Sequence, residues 1–178
     1  MNRKLLPLLL LAVLALFQSC RGPKGDPGPQ GGDVLGITFD IINVDFTAAN
    51  KWGYVLNFKD KNIEVLPSDA VLVYVYWNDV GGLKAYRPLP QTAFLNNGVI
   101  ATYNFDRTDD DMEIFVDSNI DPSNLATDWT KGFEFRVVVV PSDFLNGRTN
   151  AEVDLNSYES VVKAFHIDES KVKKISAQ

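Results

Sequence analysis

"AVLVYVYW", Ala70 to Trp77, decides the fold of this chain. It is apolar on both faces, rich in β-branched and aromatic side chains, and too short and too bounded for a helix, so it reads as a strand placed centrally in a sheet. "FEFRVVVVP", Phe133 to Pro141, begins as a half-buried strand, becomes apolar on both faces, and ends at a proline that suits a strand terminus. Between and before these two, the remaining signals are also strands. In "ITFDIINVDF" the apolar set Ile37, Phe39, Ile41 shifts phase to Ile42, Val44, Phe46, which predicts a bulge or bend near Ile41 and Ile42. "KWGYVLNF" and "MEIFV" are further candidates.

The turns join these strands antiparallel. Val80-Gly81-Gly82-Leu83 has the residues of a two-residue hairpin loop, and that register sets Trp77 opposite Tyr86. Asn97-Gly98 is a strong hairpin signal between "QTAFLN" and "VIATYNFD", in which Val99, Ala101, Tyr103 and Phe105 alternate with more polar residues. One stretch has another period: in "NSYESVVKAF", Tyr158, Val161, Val162 and Phe165 fall at helical spacing, with Asn156 as the expected N-cap and Glu159 three residues on. This helix is expected at one end or edge of the sheet, over exposed strand hydrogen-bonding groups. The tail "DESKVKKISAQ" reads as a last short strand or a frayed end. The expected fold is all-β, an antiparallel β-sandwich over residues 34–178 with one short C-terminal helix.

The chain before residue 34 is of another kind. Arg3 and Lys4 precede an apolar run from Leu5 to Phe17, and Ser19 is a small residue just before Cys20, so residues 1–19 read as an export signal peptide. The run is shorter than the about 20 apolar residues of a spanning helix, and it contains Pro7. Cys20 is the single cysteine of the chain, which leaves a spare thiol, an intermolecular bridge or a modified residue. Its position favours the last. Bacterial lipoproteins are cleaved before a cysteine whose sulfur has taken a diacylglyceryl group, and acyl chains of this kind hold a protein on a bilayer. Phe17 and Gln18 stand where leucine and a small residue are usual, so ordinary signal cleavage that leaves a free thiol stays open as the alternative.

Gly22, Gly25, Gly28 and Gly31 then keep a period of three, with Pro23, Pro27 and Pro29 between them. So few Gly-X-Y triplets return too little to order three chains, and trimerisation is not expected from this run alone. Residues 20–33 are expected to form a lipidated cysteine with an extended stalk, about 40 Å at the polyproline rise. Removing Arg3 and Lys4 with the leader lowers the basic count from 17 to 15 against 23 acids, a net charge of about −8 that disfavours nucleic acid.

The order of leader, cysteine, Gly-Pro-X triplets and strand-rich domain resembles the small collagen-like lipoproteins of Bacteroidota-type bacteria. "LPSDAVLVYVYW", "LPQTAFLNNGVIATYNF" and "FRVVVVPSDF" look like the globular part of that group, so the resemblance covers most of the chain after Cys20. It implies location in the bacterial cell envelope and gives no catalytic residue to carry over; with an acylated Cys20, the expected place is the outer membrane.

The residues themselves offer little for catalysis. His166 is the only imidazole, expected as a satisfied or surface histidine near a helix end, and classical zinc sites need more Cys and His than one of each. Asp117, Asn119 and Asp121 reproduce the D-x-N-x-D spacing of a calcium loop, with Asp128 at its twelfth position and Ser123 as a further oxygen source. Pro122 stands where such a loop uses glycine, and Asp128 where it uses a longer glutamate, so a solvated Asx turn is the competing reading. Asp109, Asp110 and Asp111 form a second acidic turn between strands. Among Trp52, Tyr54, Trp77, Tyr86, Tyr103 and Trp129, most fall at core spacing, and any exposed subset would make a platform for sugar rings. The expectation is a non-enzymatic, membrane-anchored domain that contacts a protein or a glycan, with a carbohydrate-binding accessory lipoprotein as the alternative.

Overall fold

The computed structural model describes residues 36–142 and 153–178. The signal peptide, Cys20 and the Gly-X-Y run lie outside the described residues. Among the described residues, nine strands form in chain order: β1 Ile37–Val44, β2 Gly53–Asn57, β3 Ala70–Val80, β4 Leu83–Pro88, β5 Gln91–Phe94, β6 Ile100–Arg107, β7 Asp111–Ser118, β8 Phe133–Val140 and β9 Lys173–Ser176. A helix, α1, spans Tyr158–Phe165. The strands make two sheets, β4-β3-β8-β1-β9 and β2-β7-β6-β5, and every pairing is antiparallel except that of β9 with β1.

The two strands that are apolar on both faces lie side by side inside the five-stranded sheet, with Val73 opposite Val137 and Val71 opposite Val139. Their inward residues Val73, Val75, Phe135 and Val137 meet Tyr103, Met112, Ile114 and Val116 of the second sheet in one core cluster. Each fully buried side chain of this size contributes about 1.5–3 kcal/mol by leaving water. The outer face of β3 and β8 is apolar too, and Tyr74, Val138 and Val140 bury there against Val161 and Phe165 of α1. The helix therefore covers the sheet face, not the edge or end expected from its sequence, because a two-faced strand leaves as much apolar surface outside the sandwich as inside it. Its N-cap is Ser157, whose hydroxyl accepts from the Ser160 amide, one residue after the expected Asn156. His166 closes the helix in a left-handed conformation, with φ 51°, and is exposed.

The sheet edges carry their own protection. Lys84, Arg87 and Pro88 lie on β4 and Lys173 and Lys174 on β9, while β2 and β5 are only five and four residues long. Two bulges bend the large sheet near one end. Ile41 pairs with Phe135 but Val44 with Phe133, with Asn43 in between at φ 60°, as the phase shift in the sequence predicts. In the β3–β4 hairpin, Val80 pairs with Leu83 across Gly81 and Gly82, both at positive φ. Tyr86, however, faces Tyr76 instead of the expected Trp77, because Trp77 is an extra residue on β3. That bulge leaves Tyr76 and Tyr86 in contact on one face while Trp77 packs against Tyr103 on the other.

A buried ion pair lies beneath α1. Arg136 on β8 stands directly opposite Asp40 on β1 and bonds it with both prongs, Nε to Oδ1 at 2.7 Å and Nη2 to Oδ2 at 2.9 Å. Its remaining nitrogen donates to the Tyr158 hydroxyl and, at 2.6 Å, to Glu169. The guanidinium lies 4.6 Å from the Tyr86 ring centroid and 5.3 Å from that of Tyr158. Burial alone would lower the Arg136 pKa, but the bonds to Asp40 and Tyr158 outweigh it and raise it further. Asp40 is 1% exposed, so removing its partner leaves an uncompensated carboxylate.

Two outcomes follow. Arg136→Met loses about 3–5 kcal/mol in urea unfolding, and the double variant Asp40→Leu, Arg136→Met recovers most of it; a single variant within experimental error of the native protein refutes the pairing. The second concerns alkaline pH. Burial raises the Tyr74, Tyr86, Tyr103 and Tyr158 phenols well above their ordinary value of 10.0. Unfolded tyrosines ionise near that value while these stay protonated, so stability is intact below it and falls as pH rises beyond it. Spectrophotometric titration shows their tyrosinate absorbance appearing together with unfolding, not before it.

Candidate functional site

Two open clefts lie at one end of the sandwich and share Trp129. The first, about 420 Å³, is lined by the β5–β6 hairpin tip and the loop after β7. The second, about 280 Å³, lies between Trp77, Trp129 and the start of β8. The chain enters the described domain at the opposite end, since Ile37 pairs with Val139 while Val44 pairs with Phe133. Eight strand residues, about 25 Å, separate the two ends.

Local hydrogen bonds fix the cleft loops. Asn97 and Gly98 both take positive φ, 58° and 73°, and make the turn expected of this pair. Asn119 ties that turn to the next loop: its Oδ1 accepts from the Ile100 amide at 2.8 Å and its Nδ2 donates to the Gly98 carbonyl at 2.9 Å. Asp121 accepts from the Ser123 amide at 2.9 Å and its hydroxyl at 2.7 Å, and these bonds lower its pKa. The Tyr103 hydroxyl, from the core, donates to the Trp129 carbonyl at 2.8 Å. Gly132, at φ 69°, donates its amide to Asp45 at 2.9 Å. These bonds make the cleft walls well-defined surfaces.

The aromatic platform is reduced to part of the expected set. Tyr103 is fully buried, and Tyr86 packs against Tyr158 and Arg136. Trp52, at a left-handed φ of 64°, and Tyr54 are half-buried near the far edge of the smaller sheet, where β2 lies. Trp77 and Trp129 remain half-buried at the clefts, their ring centroids 5.9 Å apart, with the Arg87 guanidinium 4.5 Å over Trp77. Phe94 is the residue the Trp and Tyr pattern misses: it is 81% exposed at the rim of the first cleft. Its signal lies in "QTAF", where Ala93 faces Ala101 in the core and strand alternation turns Phe94 outward.

The second cleft carries charge. Asp128, Lys131 and Glu134 line it, and Glu134 accepts from Lys84 at 2.6 Å and from the Tyr86 hydroxyl at 2.9 Å. Burial pushes the Glu134 carboxyl up, but these bonds leave it below the ordinary carboxylate range. The proposed calcium oxygens are not gathered. Asp117 is exposed on β7 opposite Thr102, Asn119 and Asp121 hold loop bonds, and Asp128 lies in the second cleft. Among the described residues, no group of three or more His, Cys, Asp or Glu stands close enough to hold a metal ion.

Because Asn119 Oδ1 and Asp121 Oδ1 already accept hydrogen bonds within the loops, millimolar Ca²⁺ or chelator leaves the Tm unchanged; a calcium-dependent rise of several degrees would support the metal loop instead. Comparison with protein-family models, with curated proteins and with solved structures finds no match to the chain.

Proposed function

We propose that this protein is a lipid-anchored component of a bacterial cell envelope, held at the outer membrane through Cys20, whose β-sandwich acts as a non-enzymatic binding module. The observation that carries this reading is the placement of the chain's one cysteine between an export leader and a Gly-X-Y run. An acylated sulfur at that position anchors the protein, and residues 21–33 serve as an extended stalk. The geometry of the domain supports the same reading. Two open clefts at one end of its strands give a binding module surfaces to work with.

A carbohydrate-binding accessory lipoprotein is the second reading, favoured by Phe94 and Trp129 at an open cleft. Aromatic side chains at open clefts serve stacking of sugar rings, and the loop that carries Trp129 is held in place from the core by Tyr103.

Cells fed labelled palmitate test the anchor. The native chain takes up label and partitions with membranes, whereas Cys20→Ala takes up none and is released. A native product whose mass shows a bare sulfhydryl and no acyl addition would overturn the proposal.

A further inference from the structure

We propose that the first cleft is a binding site for a neutral saccharide, with Phe94 and Trp129 as its stacking surfaces and the side-chain amides of Asn96, Asn97 and Asn124 as its hydroxyl-binding groups. This rests on the carbohydrate-binding reading above and names the site and the class of sugar it takes.

The wall of the cleft is chemically selective. All ten residues that line it are uncharged, on a chain in which 22% of residues are charged. An anionic or cationic ligand would find nothing there to pay for its desolvation. A sugar ring without charge presents an apolar C–H face and a rim of hydroxyls, and this wall offers a partner to each. Phe94, at 81% exposure, and half-buried Trp129 supply aromatic faces. Each asparagine amide has one acceptor oxygen and a two-proton donor, which matches a pair of adjacent hydroxyls. None of these three amides is engaged by another protein group among the described residues, in contrast to Asn119 beside them, which is spent on the hairpin.

Size and order agree with this ligand. About 420 Å³ is within the range of small-molecule sites, enough for a mono- or disaccharide unit of a longer chain. The walls are fixed beforehand by the Asn119 bonds and the Asp121 cap, so little ordering opposes binding. A peptide added as a strand would rely instead on the neighbouring open edge, and β5 offers only four residues for that ladder.

The test uses the full mature chain extracted in a polyoxyethylene detergent, since glucoside detergents carry a competing headgroup. Maltohexaose, cellohexaose, mannohexaose and xylohexaose are titrated by calorimetry and tryptophan emission, with hexagalacturonate and a basic peptide as charged comparisons. At least one neutral oligosaccharide binds at millimolar concentration or below and shifts the tryptophan emission. Phe94→Ala, and separately Asn96→Ala with Asn124→Ala, weaken that binding about tenfold or more while the urea midpoint is kept. Val55→Thr, an exposed change on β2 at the opposite sheet edge, leaves it unchanged. Binding of no neutral oligosaccharide, binding of the charged probes only, or binding indifferent to the Phe94 and asparagine variants would each overturn the site. An acylated chain that binds no sugar removes this inference alone, and an unacylated chain that binds sugar removes the anchoring proposal alone.

Discussion

The Arg136–Asp40 pair is the constraint on which the arrangement of this domain turns. Two charges sit on the middle strand of the large sheet and its neighbour, 6% and 1% exposed, and each is tolerable only because the other is there. The bidentate geometry pins β1 against β8 in one register, since a one-residue slip would carry Asp40 to the core face. The remaining guanidinium nitrogen then reaches Tyr158 and Glu169, so the ion pair also sets where α1 and the segment after it dock. Such a pair adds little net stability over apolar residues of the same size. What it adds here is specificity of register and of helix placement.

Above that pair, the outer face of the sheet is a small aromatic and apolar layer. Tyr158 packs 5.3 Å from Tyr74 and 4.8 Å from Tyr86, and the Tyr74 hydroxyl reaches the Leu155 carbonyl at 2.7 Å. The domain is thus a sandwich with a third layer, in which α1 buries apolar surface that the second sheet leaves uncovered. The division of labour along the strands follows from the same packing. Bulges at Asn43 and Trp77 both fall near the Phe133 end of the large sheet, where the ladder loosens and the loops that form the clefts begin.

Much of this was legible in the sequence where the cause was local. Gly81-Gly82 and Asn97-Gly98 mark turns because they accept positive φ, and both are turns. The phase shift at Ile41 and Ile42 marks a bulge because strand period is strictly two. Tyr158, Val161 and Phe165 mark a helix by their spacing, though the cap moved from Asn156 to Ser157, since both residues are good caps and only the geometry of the entering chain chooses between them. The Trp77–Tyr86 register was not legible, because a bulge in one strand is set by what both faces must meet. Nor was the ion pair, although Asp40 is the one charge in β1 and Arg136 directly precedes the four valines of β8, and that coincidence was a usable sign. Phe94 escaped for a different reason: its exposure depends on Ala93, the smaller residue, being the one that faces the core.

By itself, the sequence determined the kinds of element, their turns, and the expectation of a leader, a modified Cys20 and a stalk ahead of a strand-rich domain. These depend on residues within a turn or a period of one another, whose backbone preferences act without the rest of the chain. The tertiary structure alone decided which strands are neighbours, which face the helix covers, and which side chains meet at the clefts. Asp40 and Arg136 are 96 residues apart, and the hairpin at Asn97 meets the loop at Asn124 only because β6 and β7 pair. Contacts across such separations are chosen by the joint burial of every apolar face at once, and no local window of sequence contains that condition.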